Sequence, residues 1–117
     1  MTITERTAGD VTLLDLDGPL LGGTGTERLK DKVNSLVFQN QKQILLNLEK
    51  VSHIDSSGLG EIVSCLTTVS KAGGQLKLVN VTKRNHELLS ITRLVTVFQT
   101  FDSETEAVKS FSPAANV

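Results

Sequence analysis

Segments with strand-like and helix-like hydrophobic patterns alternate along this chain, and the connections between them are short. Residues 3–8 and 11–17 are rich in β-branched and aliphatic side chains, and Gly9-Asp10 between them favours a tight hairpin turn. Each later strand-like segment is separated from the next by a helix-like one. Because strands joined through helices pair in parallel by right-handed crossovers, the order β-β-α-β-α-β-α-β-α predicts an α/β fold. We expect a mostly parallel central sheet with an N-terminal antiparallel hairpin and four helices.

Three further strands complete the predicted sheet. The continuous apolar run Ile44-Leu45-Leu46 is typical of a central strand that is covered on both faces. Val97-Phe98 predicts a short last strand. Between these two segments, a buried strand is predicted from four apolar residues, Leu76, Leu78, Val79 and Val81.

Start and stop signals bound the predicted helices. Thr24 and Glu27 have the spacing of a capping box at the start of the first helix, and Asn40 is its predicted end. Gly73-Gly74 predicts a left-handed stop for the second helix. The last two helices are marked by a cap at Thr82, a capping box at Ser103 and Glu106, and Pro113 beyond the final turn. The apolar positions assigned to the buried helix faces are Leu29, Val33, Leu36 and Val37, then Leu59, Ile62, Val63, Leu66 and Val69, then Leu88, Leu89 and Ile91, and finally Ala107, Val108 and Phe111.

The composition is that of one ordinary globular domain, with 38% hydrophobic and 21% charged residues. We expect this domain to occupy residues 1–117, with its core at about 3–111. The formal net charge is −1 and neither Trp nor Tyr is present, so no nucleic-acid-binding surface is expected. The longest unbroken apolar runs, such as 44–46, are too short to cross a bilayer, and residues 2–6 lack the apolar core of a signal peptide. We therefore expect no membrane insertion and a cytoplasmic location.

Cysteine and histidine are too scarce to predict a metal site or a cofactor. The single cysteine, Cys65, excludes an intramolecular disulfide and a cysteine-based metal cage. It falls among the apolar positions of the second helix, where we expect it to act as a small hydrophobic residue. His53 and His86 are too few for a zinc site without suitably spaced carboxylates.

Residues 51–60, Val-Ser-His-Ile-Asp-Ser-Ser-Gly-Leu-Gly, follow the predicted central strand and open the second helix. The carboxyl ends of parallel strands are where α/β proteins usually meet ligands and partners, and a helix N-terminus can accommodate an anion. Gly58 and Gly60 each cost a helix about 1 kcal/mol relative to alanine, and their missing side chains allow another backbone or a nucleotide to approach closely. Asp and Ser are also the favoured N-cap residues, so on this chemistry alone an ordinary capped helix is the preferred interpretation.

A small hydrolase or transferase with Ser56 as its nucleophile is the alternative from a different class of protein. The residues around this serine are not Gly-x-Ser-x-Gly, neither histidine has a recognisable triad context, and no Gly-Lys-Ser/Thr of a phosphate-binding loop is present. Because no general base can be identified, we do not expect the chain to be an enzyme.

The same ten residues, 51–60, resemble the signature of the STAS domain found in bacterial anti-sigma factor antagonists. The similarity continues outside this segment. Residues 43–48 resemble the central strand of that family, residues 73–78 its helix end and next strand, and residues 94–98 its last strand region. The resemblance covers nearly the whole chain and implies a single STAS-like domain.

The resemblance implies a binding protein that is controlled by phosphorylation. In that family, the unmodified antagonist binds an anti-sigma factor with a kinase-like ATPase fold, and a sigma factor is thereby freed for transcription. The anti-sigma factor is also a serine kinase, and it phosphorylates the first serine of the motif, which corresponds to Ser56. A metal-dependent serine/threonine phosphatase removes the phosphate. The antagonist is a substrate and a binding partner in this cycle, not a catalyst.

The resemblance also implies which residues meet the partner. Asp55 is expected to cap the helix, with orientation of the acceptor hydroxyl or of a magnesium-bound nucleotide as a further role, and Ser57 is expected to serve the first helical turn. His53 is either part of the partner surface or an ordinary loop histidine. In this family the third helix lies near the partner-binding side. Its first two basic residues, Lys83 and Arg84, are therefore expected to contact the partner as well. The full predicted partner-binding set is Asp55, Ser56, Ser57, Gly58, Leu59, Gly60, His53, Lys83 and Arg84.

One segment departs from the family pattern. Many antagonists carry an acidic residue near the end of the second strand, as in Gly-Glu-Leu-Asp, but here the matching residues are Gly18-Pro19-Leu20-Leu21. The alternative function is therefore a STAS subunit of a stressosome-like or lipid-transport ATPase complex, which would act as a binding module without phosphorylation.

Overall fold

The computed structural model describes residues 1–111, which form five strands and four helices. The strands are β1 (Thr2–Ala8), β2 (Val11–Asp17), β3 (Gln43–Lys50), β4 (Gln75–Val79) and β5 (Thr100–Phe101). The helices are α1 (Thr24–Phe38), α2 (Ser56–Lys71), α3 (Lys83–Ile91) and α4 (Glu104–Ser110). Pro113 lies outside the described residues. Within them, no helix combines the length and the apolar character needed to span a membrane.

The sheet has the order β1-β2-β3-β4-β5. β1 and β2 form the antiparallel hairpin, with Gly9 in its turn at a φ of 61°, and each remaining neighbour pair is parallel. The predicted fold class is therefore confirmed. The carboxyl ends of β2, β3 and β4 share one edge of the sheet, called here the carboxyl edge, and their first residues share the opposite amino edge.

The sheet separates two hydrophobic cores. Ile44 and Leu46 of β3 pack into the larger core with α1, α2 and α3, whereas Leu45 between them packs into the smaller core with Ala107 and Phe111. Successive strand residues point to opposite faces, so an apolar run with no polar interruption is required where both faces are covered. The prediction of a doubly covered central strand at these residues is confirmed.

Two predictions about strand and helix boundaries are wrong. α1 begins at Thr24 with Gly23 as its N-cap, at a φ of 90°, and no side chain caps it, so the Thr24–Glu27 capping box does not form. Val97-Phe98 is not a strand, because Phe98 places its side chain in the larger core and pairing with β4 begins only at Thr100. At residues 97–98, packing of the Phe98 side chain in the core overrides the local strand signal.

The buried face of α3 also differs from the prediction. Leu89 is buried, but Ile91 is 80% exposed, and the polar residue Asn85 is buried in its place. Residues two apart on a helix do not share a face, so Leu89 and Ile91 cannot both point inwards. The Asn85 side-chain amide donates to the Val51 carbonyl oxygen at 3.0 Å, which ties α3 to the segment that follows β3. The predicted caps at Thr82 and Ser103 are confirmed.

Candidate functional site

The segment before α2 is held against the loop that follows β2. Leu20 N–H donates to the His53 carbonyl oxygen at 3.0 Å, and Asp55 N–H donates to the Leu20 carbonyl oxygen at 3.2 Å. A parallel bridge between Leu20 and Ile54 extends the β2–β3 pairing beyond the two strands. The side chains of Val51 and Ile54 are buried in the larger core. Both loops at the carboxyl edge are therefore fixed to one another by main-chain hydrogen bonds.

Asp55 is the N-cap of α2 and binds main-chain amides from two segments. Its Oδ1 accepts from Gly58 N–H at 2.7 Å, and its Oδ2 accepts from Gly22 N–H at 3.1 Å. These hydrogen bonds, Gly58 first and Gly22 second, lower the pKa of the Asp55 carboxyl because they favour its charged form. The predicted capping role of Asp55 is confirmed. The bond to Gly22 adds a second task, since one carboxylate joins α2 to the β2–α1 loop.

Ser56 and Ser57 are the first two residues of α2, and both are exposed. The unpaired amides and the dipole of a helix N-terminus create a positive potential at this position. Ser57 packs beside the β2–α1 loop, because a Cβ added at Gly22 would lie 3.0 Å from the Ser57 Cβ. Ser56 thus presents a solvent-accessible hydroxyl on a well-anchored first turn.

The two glycines of the first turns have different surroundings. Gly58 is buried, and a Cβ added there would overlap the Leu20 carbonyl oxygen. Gly60 is exposed, and nothing lies within 4 Å of an added Cβ. Close backbone approach at Gly58 therefore comes from the chain's own β2–α1 loop. Leu59 is 7% exposed and packs in the larger core, so it supports the surface from below.

The structure brings His53 and the start of α3 together beside this turn. A groove of about 280 Å³ is lined by His53, Ile54, Arg84, Asn85, Glu87, Leu88 and Ile91. Lys83 is exposed at the first position of α3 but does not line the groove. His53 Nδ1 lies 3.5 Å from the Ser52 Oγ, so this ring atom is within hydrogen-bond distance of the neighbouring serine hydroxyl.

Sequence reasoning missed three contributors to this surface. Leu20 and Gly22 bring the β2–α1 loop onto the start of α2, and Ile91 brings an exposed apolar side chain to the groove. The Gly22-Gly23 pair was a signal for the loop, and the two-residue spacing of Leu89 and Ile91 was a signal for the exposed isoleucine. Leu21 of the same loop is 37% exposed.

Cys65 and the metal-binding residue types add no further site at this edge. Cys65 is buried, its Sγ lies 3.4 Å from Glu61 Oε2, and burial raises the pKa of its thiol. Among residues 1–111, no group of three His, Cys, Asp or Glu side chains is arranged to hold a metal ion.

Comparisons with known proteins point to one family. The family model of the STAS domain matches residues 2–107. The anti-sigma F factor antagonist of Paenibacillus polymyxa is 30% identical over 99 residues, which cover 84% of each protein. A candidate anti-sigma factor antagonist of Thermotoga neapolitana is 42% identical over 67 residues, or 57% of this chain and 59% of that protein, so the match spans less than two thirds of that relative. The crystal structure of a candidate anti-sigma factor antagonist from Thermotoga maritima matches with a TM-score of 0.86, at 27% identity over 93% of both chains.

Proposed function

The chain belongs to the STAS domain family and is related to bacterial anti-sigma factor antagonists, and from that premise we propose that it is an antagonist switched by phosphorylation of Ser56. Its partner is an anti-sigma factor with a kinase-like ATPase fold, and the unmodified form binds it in the cytoplasm. The same anti-sigma factor phosphorylates Ser56, and a metal-dependent serine/threonine phosphatase reverses the modification. The observation that carries this proposal is the exposed hydroxyl of Ser56 on the anchored first turn of α2.

The free protein can carry a phosphate at this position without unfolding. A phosphoserine brings a charge of about −1.5 to −2 at neutral pH. At the first residue of α2, this charge meets the positive end of the helix dipole and stays in contact with water. Because Ser56 is exposed, no packed side chain has to move to accept the added group. The modification therefore acts on binding and leaves the fold in place.

A docked partner makes the same phosphate unfavourable. The charge would have to lose water in the interface, close to the ionised Asp55 carboxylate and to the nucleotide phosphates of the partner. The Asp55 carboxylate already uses the amides of Gly58 and Gly22, so these two donors are not free to offset the new charge. Like-charge repulsion and desolvation both oppose binding, and Ser56 acts as an electrostatic gate.

In this proposal the chain is a substrate and a binding module, not a catalyst. The carboxylate nearest in sequence to Ser56 belongs to Asp55, and two hydrogen bonds with main-chain amides lower its pKa. A carboxylate held in its charged form by such bonds is a weak proton acceptor at neutral pH. Turnover of generic ester or nucleotide substrates that disappears in Ser56→Ala would instead support the enzyme alternative.

One observation favours the alternative function, a STAS subunit that binds without phosphorylation. The loop from Gly18 to Gly23 lies against the first turn of α2 and carries no carboxylate, whereas many antagonists have an acidic residue there. A stressosome-like or lipid-transport ATPase complex would use the same surface for permanent binding. In such a subunit, Ser56 would stay unmodified.

A kinase assay separates the two functions. The protein is incubated with Mg-ATP and each anti-sigma factor of kinase-like fold encoded in the same genome, and the modified residue is mapped by mass spectrometry. We expect phosphate on Ser56, none in Ser56→Ala and unchanged labelling in Ser57→Ala. Binding of a kinase-fold partner without any labelling would support the non-phosphorylated module. Failure of every such partner to bind either form would overturn the antagonist proposal.

A further inference from the structure

Lys77 is a charged side chain at a position where the fold favours an apolar one. It lies in β4 between Leu76 and Leu78, which pack in the larger core, so its own side chain points to the opposite face, beneath α4. Only 5% of the residue is exposed. Because a lysine is almost never buried to this extent without a partner, the groups that surround its ammonium group determine what it does there.

The ammonium group of Lys77 is held by the last turn of α4. Its Nζ donates to the carbonyl oxygen and to the hydroxyl of Ser110, each at 2.9 Å. The same atom lies 4.7 Å from the centroid of the Phe111 ring and 5.8 Å from that of Phe101. In the part of the chain that the structure describes, no carboxylate forms an ion pair with this group. Burial without a counter-charge disfavours the charged form and lowers the pKa of Lys77.

An apolar contact and an exposed ion pair also attach α4 to the sheet. Ala107 and Phe111 pack in the smaller core, which the sheet separates from α1, α2 and α3. At the first turn, Glu104 forms an ion pair with Arg6, whose Nη2 lies 2.8 Å from Glu104 Oε1. The two side chains are 42% and 40% exposed, and exposed pairs contribute little to stability. This helix of seven residues therefore depends on a small apolar contact and on the hydrogen bonds of Lys77.

We propose that α4 is a detachable cover, which leaves the sheet as one unit while the rest of the domain stays folded, and that the Lys77 ammonium group sets how often it leaves. When α4 is docked, this charge is kept from water and has Ser110 as its hydrogen-bond partner. When α4 leaves, the ammonium group regains its hydration, and this gain offsets part of the apolar contact that is lost. An apolar side chain at residue 77 would have no such gain. The buried lysine therefore keeps the open form populated.

Opening of this cover leaves the surface around Ser56 in place. Ser56 begins α2, which packs on the face of the sheet that carries the larger core, whereas α4 covers the other face. Residues 102–103 connect β5 to α4, so a change of conformation at these two residues is enough to free the helix. The open form uncovers Leu13, Leu45 and Val79, which are at most 1% exposed in the closed form. This conformational change does not depend on the proposed phosphorylation of Ser56.

Native-state hydrogen exchange, followed by NMR at low urea concentrations, tests whether α4 opens as a unit. The amides of residues 107–111 report on α4, and those of residues 44–48 in β3 report on global unfolding. We expect the α4 amides to share one opening free energy and one dependence on urea, both lower than those of β3. Fraying from the end of the helix would give graded free energies that do not depend on urea, and that result would overturn the proposal.

Lys77→Met separates a detachable cover from an ordinary helix cap. Methionine has no charge and adapts to irregular apolar space, and the half-buried Ser110 can hydrogen-bond to water instead. We expect this variant to slow the opening of α4 roughly fivefold or more. Lys42→Met is the matched control, because Lys42 Nζ also caps a helix, donating to the Ala72 carbonyl oxygen at 2.8 Å, but its residue is less buried. Exchange of the α4 amides should be unchanged in this control.

The direction of the change in Lys77→Met decides the role of the lysine. Faster or unchanged opening of α4 would show that the ammonium group does not favour the open form, and the proposal would fail. Equal slowing in Lys42→Met would also overturn it, since the effect would then be a general one. Lys77→Leu repeats the comparison with a second apolar side chain if Lys77→Met folds poorly. None of these measurements involves a kinase or an anti-sigma factor, so their failure leaves the proposed function of Ser56 untouched.

Discussion

At each end of α2, a glycine lies directly against the main chain of a neighbouring loop. A Cβ added at Gly58, in the first turn, would overlap the Leu20 carbonyl oxygen. A Cβ added at Gly74, just after the helix, would overlap the Lys42 carbonyl oxygen. Both contacts need a residue without a side chain, and each one anchors an end of the helix to a different edge of the sheet.

The chemistry of the two ends is opposite. The N-terminal end has the Asp55 carboxylate as its cap and the exposed Ser56 hydroxyl beside it. The C-terminal end has Gly73 at a φ of 85° and the Lys42 ammonium, which donates to the Ala72 carbonyl oxygen at 2.8 Å. Each end therefore carries the charge that complements the helix dipole. Both ends therefore stabilise the fold, but the exposed Ser56 hydroxyl lies at the positive end of the helix dipole, whereas the exposed Ser70 hydroxyl lies at the negative end.

The largest expected effect comes from Gly58→Ala and Gly74→Ala. Each adds a methyl group where a carbonyl oxygen already lies, and overpacking of this kind costs about 3 kcal/mol of unfolding free energy. Urea denaturation measures the loss in both variants. If the two ends differ as described, folded Gly58→Ala should bind the partner more weakly than the wild type, because the added methyl group displaces the first turn of α2 from the β2–α1 loop, whereas folded Gly74→Ala should bind as the wild type does. Equal binding defects in both variants would contradict the comparison.

Ser56→Asp tests the charge at the N-terminal end. An aspartate places one negative charge at the gate, and desolvation of that charge in the interface should weaken binding about tenfold, or about 1.4 kcal/mol. Isothermal titration with the anti-sigma factor measures the change. Ser57→Asp is the matched control on the neighbouring residue and should have a smaller effect. Stronger binding by Ser56→Asp than by Ser57→Asp would argue against the gate.

Acid should remove the contribution of the Asp55 cap. Its carboxyl has a pKa below the usual value of about 3.9, so its stabilising effect is fully present above that pH and is lost as pH falls through the folded-state pKa. Asp55→Asn keeps an acceptor for Gly58 N–H but lacks the charged oxygen that binds Gly22 N–H. The stability difference between wild type and Asp55→Asn should therefore shrink between pH 7 and pH 3. A difference that is constant over this range would show that the charge of Asp55 is unimportant.

Gly60→Ala should have the smallest effect and the opposite sign. Nothing lies within 4 Å of an added Cβ at Gly60, and alanine favours a helix over glycine by about 1 kcal/mol. The variant should unfold at a higher urea concentration than the wild type. Because Gly60 is exposed near Ser56, reduced partner binding in this more stable variant would show that the partner needs close approach at that turn. Unchanged binding would show that the partner does not need close approach at Gly60.

Local patterns were sufficient for most of the fold. The hairpin, the doubly covered strand at Ile44-Leu45-Leu46 and the caps at Thr82 and Ser103 depend on neighbours within a few residues, and the structure confirms them. The start of α2 at Ser56 follows in the same way, since Asp55 is three residues before the amide that it caps. The spacing of apolar residues, with a period of two in a strand and about 3.6 in a helix, can be read directly from the sequence.

The remaining features depend on which distant main-chain groups come together. Gly58 and Gly60 are the same residue type in one helix, yet the Leu20 carbonyl lies against Gly58 and nothing lies against Gly60. Likewise, the second oxygen of Asp55 finds Gly22, which is 33 positions away. By itself, the sequence determined the order of the elements, the position of most of them and the serine at the start of α2. Only the tertiary structure decided which glycine lies against another main chain and which distant amide the Asp55 carboxylate binds. Both depend on contacts between loops, and local spacing in the sequence does not record such contacts.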